Sequence, residues 1–305
     1  MSASAVTKTE PFSTARSFRV RMVLAFFAIY FLWGTTFLAI RIAVEEMPPV
    51  FAAGARFFIA GVVLLGFMLV KGEANPNARQ WRNLLVLSLL MFVAEYGPLF
   101  WAEKYVPSGV VSVLAATIPI ITLVMEMLIL RQQKWRLGLA AATVLGFAGV
   151  GVLLLPGGTQ HFPVVPCIAI LCGCTTWSLG SVLSRSMDLP KARPLTAGAT
   201  MMMGGGILLL ISAALGEMHP FPHVSLRAGM ALLYLIVFGS LLAFTAFVWL
   251  LAHMPATRVA SHAYVNPIVA VALGYFAAGE PVTMRTLTGT ALVIVSVFMI
   301  LRPGK

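Results

Sequence analysis

The chain has 305 residues, enough for two ordinary soluble domains, but 60% of them are hydrophobic, 10% are charged and the mean hydropathy is +0.94. That leaves too little polar surface to cover a water-soluble globule and points to an integral membrane protein. The excess of 21 Lys and Arg over 10 Asp and Glu then reports membrane orientation and not nucleic-acid binding.

The predicted elements begin after a tail. Residues 1–21 are polar, carry Lys8, Arg16 and Arg19, and read as a disordered basic cytoplasmic segment. A retained first span follows, too long for a signal-peptide core. A bilayer core of about 30 Å needs about 20 helical residues. Apolar runs of that order lie near 22–44, 50–70, 82–102, 107–130, 137–155, 163–184, 195–215, 227–251, 256–278 and 285–301. Breaks separate them, including Glu45 through Pro49, Lys71 through Arg79, Arg131 through Lys134, Pro156-Gly157-Gly158, Asp188 through Pro194, Glu217 through Pro222, and Glu280-Pro281.

With ten crossings and a cytoplasmic N-terminus, the outer side carries only Arg41, Lys104, Arg227 and Arg285, and Arg56 stays inside a span. All other basic residues fall on the inner side, together with the C-terminus.

The chain also repeats. Ala52 to Leu65 (AAGARFFIAGVVLL) aligns with Thr196 to Leu209 (TAGATMMMGGGILL), and at the same spacing Trp33 meets Trp177 and Arg41 meets Arg185. At a slightly larger spacing Trp101, Pro107 and Pro119 meet Trp249, Pro255 and Pro267. The predicted fold is therefore all-α, with ten transmembrane helices as two inverted five-helix repeats, residues 22–156 and 157–305. An odd number of spans per copy makes the second enter the membrane from the opposite side, an arrangement that places a binding site between the halves near the midplane.

Several residues are candidates to line that site. Charges in spans are costly and usually face a cavity or a partner. Arg56 and Glu95 are predicted at similar depths, within reach of pairing, either as substrate-facing groups or as a static salt bridge. Glu126 sits one turn from Arg131 and reads as a locally paired or snorkelling carboxylate. His262 and Asn266, four residues apart, share a helix face. Pro267 cannot bond the carbonyl of Ala263, nor Pro119 that of Ala115, so both are predicted kinks that free acceptors beside the site. Glu95 and His262 are also candidate proton carriers.

Trp33 and Trp177, well inside their spans, offer stacking faces, and Trp101 is a further candidate nearer a span end, where indoles more often anchor at the interface. Trp81 and Trp135 read as belt residues. Gly54, Gly61, Gly198, Gly204, Gly205 and Gly206 are packing positions, and Met201 to Met203 adaptable fillers. Cys167, Cys172 and Cys174 share one apolar stretch and suggest neither a disulfide framework nor a metal site. No cofactor is expected.

The segments FLWGTTFLAIRIAVEEMPPVFAAGARFFIAG (31–61), VPSGVVSVLAATIPIITLVMEMLILRQQ (106–133) and MPATRVASHAYVNPIVAVALGYFAAGEPVT (254–283) resemble the EamA branch of the drug/metabolite transporter superfamily. The resemblance covers nearly the whole chain after the tail. It departs at Arg131-Gln132-Gln133, where an acidic residue is usual, while Glu280-Pro281 keeps the pattern. It implies a bacterial inner-membrane exporter of small organic solutes such as amino acids or related amphiphilic and aromatic metabolites. The partners expected are a small-molecule substrate and the lipid bilayer, not nucleic acid.

No Gly-rich loop ending in Lys-Ser or Lys-Thr is present, so nucleotide hydrolysis is not the expected driver. A flippase for an amphiphile or lipid-linked group is the alternative. An intramembrane hydrolase using Ser240 or Ser261 with His253 or His262 is remote, because no nucleophile-elbow motif supports it.

Overall fold

The computed structural model describes residues 12–106, 108–130, 137–154, 163–218, 223–278 and 284–301, and among these all regular structure is helical. Six helices are each long and apolar enough to cross a bilayer: Ser17–Glu46, Pro49–Val70, Ala78–Ala102, Val164–Leu183, Arg193–Ala214 and Leu226–His253. The remaining apolar segments are shorter or interrupted.

In chain order, α1 comprises Phe12–Phe27, a π-wound turn Ala28–Leu32 and Trp33–Glu46. Its helix starts ten residues before the expected first span, so the second half of the expected disordered tail is helical. Residues 1–11 lie outside the described part. Next, α2 is Pro49–Val70, and α3 comprises Ala78–Ser88, a π turn Leu89–Val93 and Tyr96–Ala102. The fourth rod, α4, is divided into Ser108–Ala115 and Ile118–Met125, ending in a π turn Glu126–Leu130. Then come α5 (Leu137–Leu154), α6 (Val164–Leu183) and α7 (Arg193–Ala214). α8 comprises Leu226–Tyr234, a π turn Leu235–Leu242 and Ala243–His253; α9 is divided into Ala256–Val259 and His262–Ala278; α10 is Met284–Leu301. The Arg131-Gln132-Gln133 and Glu280-Pro281 positions lie outside the described residues.

Local chemistry sets the ends. Pro49 opens α2, where its missing N–H costs no helical bond. The first amides of that helix donate instead to Glu217, whose Oε2 lies 2.9 Å from Phe51 N. Asn77 and Gln80 form a reciprocal capping box at the start of α3. Both α2 and α7 close in the same turn: Gly72 and Gly216 have φ of 86° and 75°. The amide of Glu73 reaches Met68 O just as that of Glu217 reaches Ser212 O. This is the left-handed glycine cap, which L-residues with a Cβ adopt only under strain.

Lipid tails are as apolar as Leu, so these helices need close packing more than burial to associate. The most extensive helix pair is α2 with α7. A Cβ added at Gly61 would stand 2.1 Å from Met202 N, and one at Gly205 would stand 2.2 Å from Phe58 N. Gly54 abuts Leu209, and Gly198 abuts Leu65. In the alignment of Ala52–Leu65 with Thr196–Leu209 each of these contacts is the image of another, Gly61 with Met202 exchanging for Gly205 with Phe58. A second close pair, α5 with α10, is pinned where Ser296 Oγ donates to Ala142 O at 2.6 Å. Outward faces remain apolar, as at Val70, Leu210 and Phe276, which suits contact with lipid.

Candidate functional site

The interior of α1, α3, α4, α6 and α9 encloses a cavity of about 40 Å³ whose walls include Trp33, Glu95, Tyr96, Trp177, His262 and Asn266. Five of the seven predicted substrate-binding residues therefore meet at one place. Arg56 and Trp101 do not line it.

Glu95 owes its position to a break in α3. Ala94 N bonds Leu89 O in the last π turn, and a new helix starts at Tyr96. Pro98 has no amide to continue the ladder, so the Gly97-Pro98 pair in the sequence signals the break. The carboxylate turns toward α6, where a Cβ on Gly173 would lie 2.3 Å from Glu95 Oε2. That oxygen is buried without a hydrogen-bond partner.

Opposite, His262 Nδ1 lies 3.4 Å from Asn266 Nδ2, so the shared face is realised. His262 Nε2 and Asn266 Oδ1 are likewise buried and unpartnered. Leaving such atoms unbonded costs about 1–3 kcal/mol each, and all three belong to residues that line the cavity, which makes it the candidate place for a polar ligand group.

Aromatic rings form the walls. Trp33 and Trp177 meet edge to face with centroids 5.6 Å apart, and Trp33 lies 4.7 Å from the His262 ring. Trp33 Nε1 donates to Gly239 O at 2.9 Å, within the π turn of α8, where the wider winding leaves carbonyls available. Tyr96, not singled out from the sequence, lies 5.8 Å from Trp177. Thr36 is another lining residue that sequence reasoning passed over; it stands one helical turn after Trp33, a spacing that would have found it.

The expected pairing of Arg56 with Glu95 is not formed. Arg56 Nε donates to Ser240 Oγ at 2.9 Å, and its guanidinium sits over the Phe57 and Tyr96 rings at 4.6 and 5.3 Å. Aromatic faces thus hold the cation in place of a carboxylate. Trp101 is half-buried near the end of α3 and packs on Tyr105.

The two predicted kinks differ. At Pro119 the rod α4 is interrupted just before the proline, and Leu114 O accepts instead from Thr117 N, Thr117 Oγ1 and Cys174 Sγ. Pro267, by contrast, lies inside a helix that runs from His262 to Ala278, and the interruption of α9 falls at Ala260 and Ser261.

The expected local partner of Glu126, Arg131, lies outside the described residues, and Glu126 itself is buried and does not snorkel. It accepts from Ala256 N at 2.6 Å and from Thr257 N and Oγ1, capping α9, and lies 3.9 Å from Arg185. Carboxylates favour such helix starts.

A larger cavity, about 250 Å³, opens between α3, α6, α7 and α8, with Met91, Arg185, Asp188, Arg193, Thr200 and Phe244 among its walls. Phe244 and Trp177, with centroids 6.2 Å apart, stand between the two cavities. At the other end Glu103, just past the α3 span, is fully buried with neither carboxylate oxygen hydrogen-bonded. Burial pushes its carboxyl well above the usual range, against the opposing pull of the Arg41 and Arg56 guanidiniums.

An all-helical bundle with apolar outer faces and polar groups gathered at its centre defines a multi-pass membrane protein of the transporter class. The EamA-like transporter family model matches it twice, over residues 20–155 and 165–302, and the chain belongs to that family. It is 36% identical over 286 residues to the uncharacterized inner membrane transporter YedA of Escherichia coli (strain K12), spanning 92% of this chain and 90% of that one. It is 26% identical to the uncharacterized transporter YvbV of Bacillus subtilis (strain 168), over 94% and 93% of the two chains. A solved crystal structure aligns with a TM-score of 0.74 at 19% identity, over 92% of this chain and 96% of that one, which shows the shared fold. The chain is accordingly a multi-pass transporter of the bacterial inner membrane.

Proposed function

We propose that the chain is a secondary carrier that exports small organic solutes by alternating access. Its two five-helix halves, residues 22–156 and 157–305, run antiparallel across ten crossings, and both termini are cytoplasmic. The solute binds in the central cavity, with Trp33, Glu95, Trp177, His262 and Asn266 in contact. Arg56 supports Tyr96 from behind. The inner cavity is the cytoplasmic entrance, and the Trp177 and Phe244 rings form the partition that must part.

The observation that carries this reading is that Glu95, His262 and Asn266, contributed by both halves and each holding a buried unpartnered polar atom, line one aromatic-walled cavity. The reciprocal glycine contacts of α2 and α7 support the antiparallel duplication. So do the pairs of ends that meet: Glu46 bonds Ser225 on one side, and Gln80 reaches Asp188 on the other, as a threading with both termini on one face requires.

The test is flux in proteoliposomes without nucleotide, with a panel of amino acids, amines and aromatic metabolites. A saturable flux is expected. In Glu95→Gln and His262→Ala it should fall about tenfold or more at equal folded protein, since a charge-assisted bond is worth about 1.5–3 kcal/mol. Unchanged flux in both variants would overturn the assignment of the site.

A further inference from the structure

We propose that the central cavity selects amines that carry a single positive charge on an aromatic or apolar body, and rejects the corresponding free amino acids. This rests on the carrier reading above and gives its site a substrate class.

The charge inventory points there. Glu95 is the acidic residue among the described residues lining the cavity, and they include no Lys or Arg. Arg56, the nearby cation, is turned to Ser240 and to the aromatic faces of Phe57 and Tyr96. A buried carboxylate without a donor is costly, and an ammonium supplies both counter-charge and donors. A substrate carboxylate would instead enter beside Glu95 with no cation to receive it. That adds like-charge repulsion to an unpaired buried charge.

The directions of the remaining groups fit the same ligand. Glu95 and Asn266 both line the cavity and each has an acceptor oxygen without a partner, which suits the N–H groups of an ammonium. His262 Nε2, buried and unpartnered, suits a hydroxyl on the same solute, which pairs with it in either ring tautomer. Around them Trp33, Tyr96 and Trp177 present electron-rich rings, which favour a cation and an aromatic body alike. The central cavity is small, about 40 Å³, and does not take the whole solute as it stands. The body lodges toward the Trp177 and Phe244 rings as they separate.

Binding of four probes to purified protein in nanodiscs, by calorimetry and thermal shift, tests this: phenethylamine, phenylalanine methyl ester, phenylalanine and 2-phenylethanol. The amine and the ester should bind with similar affinity, and phenylalanine more than about tenfold more weakly. Glu95→Gln should lose amine and ester binding while keeping its unfolding temperature and its weak binding of 2-phenylethanol. Phenylalanine binding as tight as the amine would overturn the selectivity, as would amine binding that survives Glu95→Gln. If phenylalanine also exchanges across vesicles, the carrier reading stands while the amine class falls. If no probe binds or exchanges, both fall.

Discussion

Trp33 and Trp177 stand 144 positions apart in the chain, at equivalent places in its two matching segments, and touch each other edge to face. The two matching segments therefore touch through equivalent residues. The central cavity is next to that contact. The cavity is thus lined by residues of both segments, and neither segment forms it alone.

The glycine seam between α2 and α7 should tolerate no side chain. Gly61→Ala and Gly205→Ala each force a methyl into backbone of the facing helix. A loss of about 1–3 kcal/mol is expected for each, outweighing the helix-propensity gain of about 1 kcal/mol. Gly66→Ala, where nothing lies within 4 Å, serves as the control and should be neutral or slightly stabilising. Thermal unfolding in detergent reads the difference; equal effects at Gly61 and Gly66 would contradict the seam.

Glu126→Ala should destabilise the protein by about 1–3 kcal/mol, because it strips the amides of Ala256 and Thr257 and the Thr257 hydroxyl of their acceptor. Glu126→Gln, which keeps one acceptor oxygen, should lose less. An Ala variant as stable as the parent would mean that this cap is not formed.

Glu103→Gln should raise stability at neutral pH. The folded chain holds this carboxyl neutral further up the pH scale than the unfolded chain does. Its folded-state pKa is therefore raised, and stability is lost as pH climbs from the unfolded value, about 4.3, toward the folded one. The glutamine variant has no such loss, so its advantage should appear above about pH 5 and vanish below pH 4. A stability difference independent of pH would contradict it.

Arg41 and Arg185 are repeat equivalents, and each donates to a backbone carbonyl of a neighbouring rod. Arg41 bonds Glu103 O at the end proposed to face outward, and Arg185 bonds Leu251 O and Met254 O at the end proposed to face the cytoplasm. Arg41→Ala should raise accessibility of the central cavity from outside, and Arg185→Ala from inside. Impermeant thiol labelling of Thr36→Cys in vesicles of either orientation measures both; identical shifts from the two variants would rule out separate latches.

Much of the helical layout was legible because apolar runs and proline or glycine punctuation act locally. The run expected at 50–70 forms Pro49–Val70, and that at 285–301 forms Met284–Leu301. At the N-terminus polarity misled, since Phe12–Phe27 is helical despite its charges. Trp33 with Trp177, and His262 with Asn266, were readable because internal repetition and helical spacing are sequence properties. Partners across the bundle were not. Arg56 finds Ser240 and aromatic faces, and Glu126 finds the start of α9, because tertiary packing decides which neighbour a buried charge meets. The π turns of α3 and α8, which set Glu95 and expose Gly239 O, have no pattern beyond Gly97-Pro98 and Gly239.

The most direct test of a shared central site reached from two sides is labelling at Thr36, which lines the cavity. With Cys167, Cys172 and Cys174 replaced, an impermeant maleimide is applied to Thr36→Cys in right-side-out and in inverted vesicles. Labelling from both faces, slowed in both by a transported solute, is predicted. Labelling from one face only, with the other inert under conditions of active flux, would contradict alternating access.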